Sequence, residues 1–177
     1  MHTIPRFRPS LSRQEIIAIL KKLIAFSGTR RKKSTPITFE SAFAEYLGVR
    51  NALSAPSGRM GLFLILKHLN LPKKSEIILP AFTYWAVPSI ISALDLKPVF
   101  VDIDPATCNI DPAQIEKKIT RSTRAIIPTH LYGLSCPMDE IIALAKRHNV
   151  VVIEDCVQAC GATYKGKKVG SLGEAAY

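Results

Sequence analysis

Short apolar runs alternate with helical segments through most of the chain, and this alternation constrains the fold more than any other feature. The runs rich in Val, Ile, Leu and Ala lie at 52–55, 76–79, 98–101, 125–128 and 150–153. Between them, helical patterns cover 58–68, 84–94, 111–119 and 137–148. Strands that are buried on both faces are almost continuously apolar, and helical connections make neighbouring strands parallel. The sequence therefore predicts an α/β fold, with a mainly parallel sheet and helices on both faces.

This topology also predicts where functional residues lie. Right-handed crossovers place the carboxyl ends of all the strands at one edge of the sheet, which is where ligands of such sheets bind. After Asp155 the pattern changes, and residues 161–170 resemble a hairpin with a Lys-Gly turn. We therefore expect the functional side chains to follow strand ends.

Charge is distributed unevenly along the 177 residues, which carry a net charge of +10. Residues 1–36 hold nine basic residues against one acid, whereas the remainder is nearly neutral. We predict a basic leader over 1–36 with one short helix at 11–26, followed by a domain over 37–177. The basic stretch 27–36 is either a solvated linker or an electrostatic tether to nucleic acid or an anionic membrane. Its lack of aromatic residues disfavours nucleic acid.

The remaining composition excludes several classes of protein. Four cysteines at irregular spacing are too few for a disulfide-rich secreted domain, and no Cys/His pair has zinc-finger spacing. We expect reduced thiols and no metal site. No apolar run approaches the ~20 residues of a membrane helix, and the first residues lack a secretory signal. The sequence thus predicts a cytoplasmic protein.

Three strand ends carry candidate chemistry. Ser57-Gly58 opens a helix, so its amides predict either a phosphate cradle or an ordinary N-cap. Tyr84 and Trp85 follow the second strand and could offer a flat face to a planar ring or fill the core. Asp155 ends an apolar strand, either as an N-cap or as the partner of a cation that offsets its desolvation.

Asp102 and Asp104 form a competing carboxylate pair. Asp-x-Asp at a strand end holds metal-bound nucleotide sugars in glycosyltransferases, but Pro105 follows at once and favours a solvated loop.

From about Phe39 onward the chain resembles the DegT/DnrJ/EryC1/StrS family of sugar aminotransferases, which use pyridoxal phosphate. No single motif is decisive, but their order and spacing together are specific, and the resemblance leaves out the basic leader. The matching stretches are 39–48, 78–84, 98–104, 125–133, 152–159 and 164–173.

The resemblance implies the large domain of a fold-type I pyridoxal-phosphate transferase and a role for each strand end. Gly58 and the amides of Arg59 and Met60 would hold the cofactor phosphate. Tyr84 would stack on the pyridine ring. Asp155 would pair with the pyridinium nitrogen, keeping the ring an electron sink, and Gln158 would lie near its phenolic oxygen.

The chain departs from the family at two places. Arg59 replaces a usual Thr, and an Arg could supply charge to the phosphate instead. The lysine that forms the Schiff base would lie beyond Tyr177, so we assign no catalytic residue and expect a truncated domain that is inactive alone.

The full-length enzyme implied by this resemblance moves an amino group from an amino acid, such as glutamate, to a keto-sugar nucleotide, for surface polysaccharides or secondary metabolites. It would be a homodimer. Two alternatives stay open: a non-catalytic binding module, and a sugar dehydratase of the same family.

Overall fold

The computed structural model describes residues 12–25 and 35–177, and the chain divides into two units, 1–37 and 38–177. In the first unit, helix α1 spans Arg13–Ala25, within the predicted 11–26. Ser12 N–H donates to Glu15 Oε2 at 2.6 Å and Glu15 N–H to Ser12 Oγ at 3.2 Å, which is a capping box. Residues 1–11 and most of the predicted linker lie outside the described residues.

The segment before the sheet differs from the sequence prediction at two points. Helix α2 spans Thr35–Leu47, so the last two residues of the predicted linker are helical, with Pro36 tolerated in the first turn. Residues 52–55 are described by the structure but do not form the predicted strand, and Leu53 is 87% exposed. Glu40 Oε1 instead accepts from Ser54 N–H at 2.7 Å and Ser54 Oγ at 2.6 Å. The Ser54 backbone N–H thus bonds to a side chain rather than to a neighbouring strand.

The remaining strands and helices follow the predicted alternation. The elements are α3 (Gly58–Leu69), β1 (Glu76–Pro80), α4 (Ala86–Ala93), β2 (Lys97–Val101), α5 (Pro112–Lys118), β3 (Thr123–Ile126), α6 (Met138–His148), β4 (Val151–Glu154), β5 (Thr163–Tyr164), β6 (Lys167–Lys168) and β7 (Ala175–Ala176). Five strands form a parallel sheet in the order β2-β1-β3-β4-β7. Strands β5 and β6 pair as the predicted hairpin, in which Lys165 and Gly166 both have positive φ, as a tight primed turn requires.

Helices cover both faces of the sheet, which confirms the predicted fold class. Side chains alternate along each strand, so Ile77 and Leu79 pack with Leu62 and Leu66 of α3, whereas Ile78 faces the opposite side. That opposite core contains residues of α5 and α6. The inner strands β1, β3 and β4 are therefore mostly buried on both sides, whereas the edge strand β2 exposes Lys97 and Phe100.

Within the described part of the chain, none of the helices has the length and apolar character needed to cross a membrane.

Candidate cofactor-binding site

The loops after three strands are joined at the carboxyl edge of the sheet. Thr83, after β1, and Thr129, after β3, share a hydrogen bond of 3.0 Å between their hydroxyls. Thr129 also pairs with Asp155, after β4, as an isolated parallel bridge. His130 N–H donates to Asp155 O at 3.0 Å, and Asp155 N–H donates to Pro128 O at 2.9 Å. The three loops thus form one continuous edge.

Helix α3 begins against this edge. A Cβ placed on Gly58 would lie 3.0 Å from Val157 Cγ2, so a glycine lets the helix approach the loop after β4. Ser57 is the N-cap, and its hydroxyl accepts from Met60 N–H at 3.3 Å. The Met60 N–H, which the resemblance assigns to the cofactor phosphate, therefore donates to the N-cap in this structure. The N–H groups of Gly58 and Arg59 belong to the first turn, which has no acceptor within the helix.

Asp155 is buried, with 4% of its surface exposed. Its Oδ1 accepts from Val157 N–H at 3.2 Å, so it also shapes the turn that follows β4. Burial raises the pKa of Asp155, while the Val157 N–H and the nearby Tyr177 hydroxyl act in the opposite direction. Among the described residues, no lysine or arginine lies within ion-pair distance of it. A buried carboxylate of this kind suits a cationic ligand.

The two other predicted ligands lie on the surface. Tyr84 is 49% exposed and precedes α4, and its ring centroid lies 5.4 Å from that of Trp85. Gln158 is exposed in the turn after Asp155. Tyr84 is thus accessible to a ligand. The neighbouring Thr83 hydrogen-bonds to Thr129, which pairs with Asp155.

Glu154 is an important residue that the sequence reasoning missed. It is fully buried, and its carboxylate accepts from Gly170 N–H at 2.9 Å, Leu172 N–H at 2.8 Å and Gly173 N–H at 2.8 Å. Burial alone would raise the pKa of Glu154, but the hydrogen bonds from His130 and these amides outweigh it and hold the pKa below its ordinary value. One local signal was present: a carboxylate that ends an apolar strand and precedes Asp155.

His130 completes this network. Its Nδ1 accepts from Cys136 N–H at 2.9 Å, which assigns the proton to Nε2, 3.1 Å from Glu154 Oε2. The neutral imidazole therefore donates to Glu154 while it accepts from the loop after β3.

His130, Glu154 and Cys156 place their polar atoms within 4.8 Å of one another, the spacing of a metal site. Both nitrogens of His130 and both oxygens of Glu154 already make hydrogen bonds. Burial raises the pKa of the Cys156 thiol, which disfavours the thiolate that a metal needs. The cluster is best described as a hydrogen-bond network.

Asp104, one of the competing carboxylate pair, has a local role. Asp104 accepts from Ala106 N–H at 2.9 Å and from Thr107 Oγ1 at 3.1 Å. These bonds form the turn after β2 and occupy both oxygens of the carboxylate.

Comparison with known proteins identifies the class to which this fold and edge belong. A sequence model of the DegT/DnrJ/EryC1/StrS aminotransferase family matches residues 12–177, and the chain belongs to this family. The match begins well before Phe39, so the expectation that the resemblance leaves out the leader is wrong for residues 12–36.

Two relatives within the family show how similar the chain is to named enzymes. The chain is 46% identical over 140 residues to GDP-perosamine synthase of Caulobacter vibrioides, covering 79% of this chain and 38% of that protein. It is 48% identical over 138 residues to dTDP-3-amino-3,6-dideoxy-alpha-D-galactopyranose transaminase of Aneurinibacillus thermoaerophilus, covering 78% and 38%. The chain thus spans about two fifths of the length of these relatives.

A solved structure gives the same fold. E. coli GDP-4-keto-6-deoxy-D-mannose-3-dehydratase, with bound hydrated pyridoxal phosphate, superposes with a TM-score of 0.87 at 28% identity. The superposition covers 98% of this chain and 46% of the dehydratase. The family and this structure confirm the predicted fold-type I architecture and indicate pyridoxal phosphate as the cofactor.

We predict that Glu154→Gln lowers the free energy of unfolding by about 2–4 kcal/mol at pH 7, since an amide nitrogen would face N–H donors. The pKa of Glu154 is lowered in the folded state, so its contribution exists above the unfolded pKa and is lost as pH falls through the folded one. Urea unfolding should therefore show the two proteins converging below pH 4.5.

Glu140→Gln, on the exposed face of α6, is the matched control and should change stability by less than about 0.5 kcal/mol. Equal effects of the two substitutions, or a difference independent of pH, would contradict the role given to Glu154.

Proposed function

We propose that this chain is the cofactor-binding part of an aminotransferase that transfers an amino group from an amino acid, glutamate in our proposal, to a keto-sugar nucleotide. The observation that carries the proposal is Asp155, a buried carboxylate that no lysine or arginine of the described residues pairs with. The printed names of the relatives, GDP-perosamine synthase and a dTDP-amino-sugar transaminase, support a nucleotide-sugar substrate. The product would enter surface polysaccharides or secondary metabolites.

The residues at the strand edge fit the cofactor. Pyridoxal phosphate, when bound, supplies the electron sink for amino-group transfer. We propose that Asp155 holds the protonated ring nitrogen and that Tyr84 covers one face of the ring. Gln158 meets the phenolic oxygen.

The phosphate would lie at the start of α3. The close approach of Gly58 to Val157 brings the first-turn N–H groups to the loop that carries Asp155. Helix N-termini favour anions through these donors and the helix dipole. We propose that the amides of Gly58, Arg59 and Met60 hold the phosphate, with the guanidinium of Arg59 adding charge where the family usually has Thr.

Sequence identity favours an aminotransferase over the related dehydratase. Among solved structures, the chain is 38% identical to an aminotransferase from Psychrobacter cryohalolentis over 93% of its length, and 28% identical to the dehydratase over 98%. We propose a large domain over 37–177 behind the basic leader 1–36, and a homodimer for the full-length enzyme.

We further propose that the 177-residue chain alone does not transaminate. None of the hairpin lysines, Lys165, Lys167 and Lys168, matches the position at which the family carries its Schiff-base lysine. Two of them make other contacts: Lys165 pairs with Asp139, and Lys168 Nζ lies 4.1 Å from the centroid of the Tyr46 ring.

The first experiment is a fluorescence titration with pyridoxamine 5′-phosphate. Asp155→Asn should weaken binding roughly tenfold to a hundredfold, because a charge-assisted hydrogen bond is worth about 1.5–3 kcal/mol. Asp139→Asn, an exposed carboxylate on α6, is the matched control and should bind like the wild type. No saturable binding by the wild-type chain, or equal affinities for wild type and Asp155→Asn, would sink the proposal.

The second experiment tests whether any lysine of the 177-residue chain forms a Schiff base with pyridoxal phosphate. The chain is mixed with pyridoxal phosphate, reduced with borohydride and analysed by peptide mass spectrometry. We expect no stoichiometric label at one lysine, because amine attack requires a lysine held at the ring. A single lysine labelled in every molecule, and protected by pyridoxamine 5′-phosphate, would contradict the proposed inactivity.

A further inference from the structure

The ring of Tyr177 is packed against the start of helix α3. A Cβ placed on Gly58 would lie 3.6 Å from Tyr177 Cδ2, and one on Gly61 would lie 3.3 Å from Tyr177 Cβ. Residues three apart share a face of a helix, so these two glycines leave a notch in that face. The tyrosine ring occupies the notch beside the proposed phosphate-binding turn.

The backbone of Tyr177 is fixed on both sides of Asp155. Tyr177 N–H donates to Glu154 O at 3.0 Å, and Cys156 N–H donates to Tyr177 O at 2.9 Å. These bonds extend the parallel ladder in which Glu154 pairs with Ala176. In this register Tyr177 lies alongside Asp155 on the neighbouring strand.

The hydroxyl of Tyr177 is buried and has no hydrogen-bond partner among the described residues. Burial raises the pKa of Tyr177, and the nearby carboxylate of Asp155 raises it further. The phenol therefore keeps its proton at neutral pH. An O–H group buried beside a carboxylate with spare lone pairs is suited to donate to it.

Other groups near Asp155 do not take this role. His130 uses Nε2 for Glu154 and Nδ1 for the Cys136 amide. Cys136 and Cys156 also lie close to the carboxylate, but Cys136 Sγ already donates to Thr129 O at 3.2 Å and the Cys156 thiol is only a weak donor. The Val157 amide already donates to Oδ1. Tyr177 is the donor that remains among these neighbours.

We propose that Tyr177 is a positioning residue for Asp155: its hydroxyl donates a hydrogen bond that keeps the carboxylate ionised and oriented toward the ring nitrogen of the cofactor. The inference rests on the proposed function for the role of Asp155, but the hydroxyl–carboxylate interaction itself does not require a bound cofactor.

The direct test is a carbon NMR titration of Asp155 in the 177-residue chain without cofactor. The signal is assigned by its loss in Asp155→Asn. Tyr177→Phe removes only the hydroxyl, and the pKa of Asp155 should rise by roughly one unit, since a hydrogen bond to the charged form lowers a carboxyl pKa. Tyr132→Phe, at a tyrosine that is 72% exposed, should leave it unchanged. An unchanged pKa in Tyr177→Phe overturns the inference.

A second titration separates positioning from packing. Pyridoxamine 5′-phosphate affinity is measured from pH 5 to pH 8 for the wild type, Tyr177→Phe and Tyr132→Phe. We expect Tyr177→Phe to bind like the wild type at pH 8. As the pH is lowered, it should lose affinity at a higher pH than the wild type, because the pKa of its Asp155 is higher. If Tyr177→Phe loses affinity by the same factor at every pH and also loses thermal stability, Tyr177 acts through packing alone, which contradicts the inference. No binding by the wild type would refute the proposed function, while the carbon titration still decides the Tyr177 inference.

Discussion

The buried carboxylate of Glu154 joins the parallel sheet to the segment that follows the hairpin. Three backbone N–H groups from residues 170–173 converge on its two oxygens, and His130 donates from the loop after β3. A buried charge is stable only when such donors replace its water. Because Glu154 precedes Asp155, the hydrogen bonds that hold residues 170–173 against the sheet also fix the backbone at Asp155, the proposed cofactor ligand.

Two adjacent carboxylates at one strand end thus have opposite environments. Glu154 is saturated with donors and its pKa is lowered, whereas Asp155 has one backbone donor and its pKa is raised by burial. A saturated carboxylate serves structure, and an undersaturated one is available to a ligand. The division of roles follows from the hydrogen bonds, although both side chains are acidic and buried.

Much of the fold was predictable because its causes are local. Strands buried on both faces require contiguous apolar residues, and the helix at Gly58 begins where Ser57 can cap it. The strand predicted at 52–55 does not form, and within it the Ser54 N–H donates to the side chain of Glu40, a contact that the local apolar pattern does not reveal. Glu154, His130 and Tyr177 escaped prediction for a similar reason, since their partners lie many residues away and only the folded chain brings them together.

The central claim is that the carboxyl edge of this sheet binds the pyridine ring of the cofactor. The most direct measurement is a crystal structure of the chain with pyridoxamine 5′-phosphate. The account predicts the ring nitrogen within hydrogen-bond distance of Asp155, the Tyr84 ring on one face, and the phosphate at the N–H groups of Gly58, Arg59 and Met60. A ligand bound elsewhere, or a ring whose nitrogen has no contact with Asp155, would contradict the account.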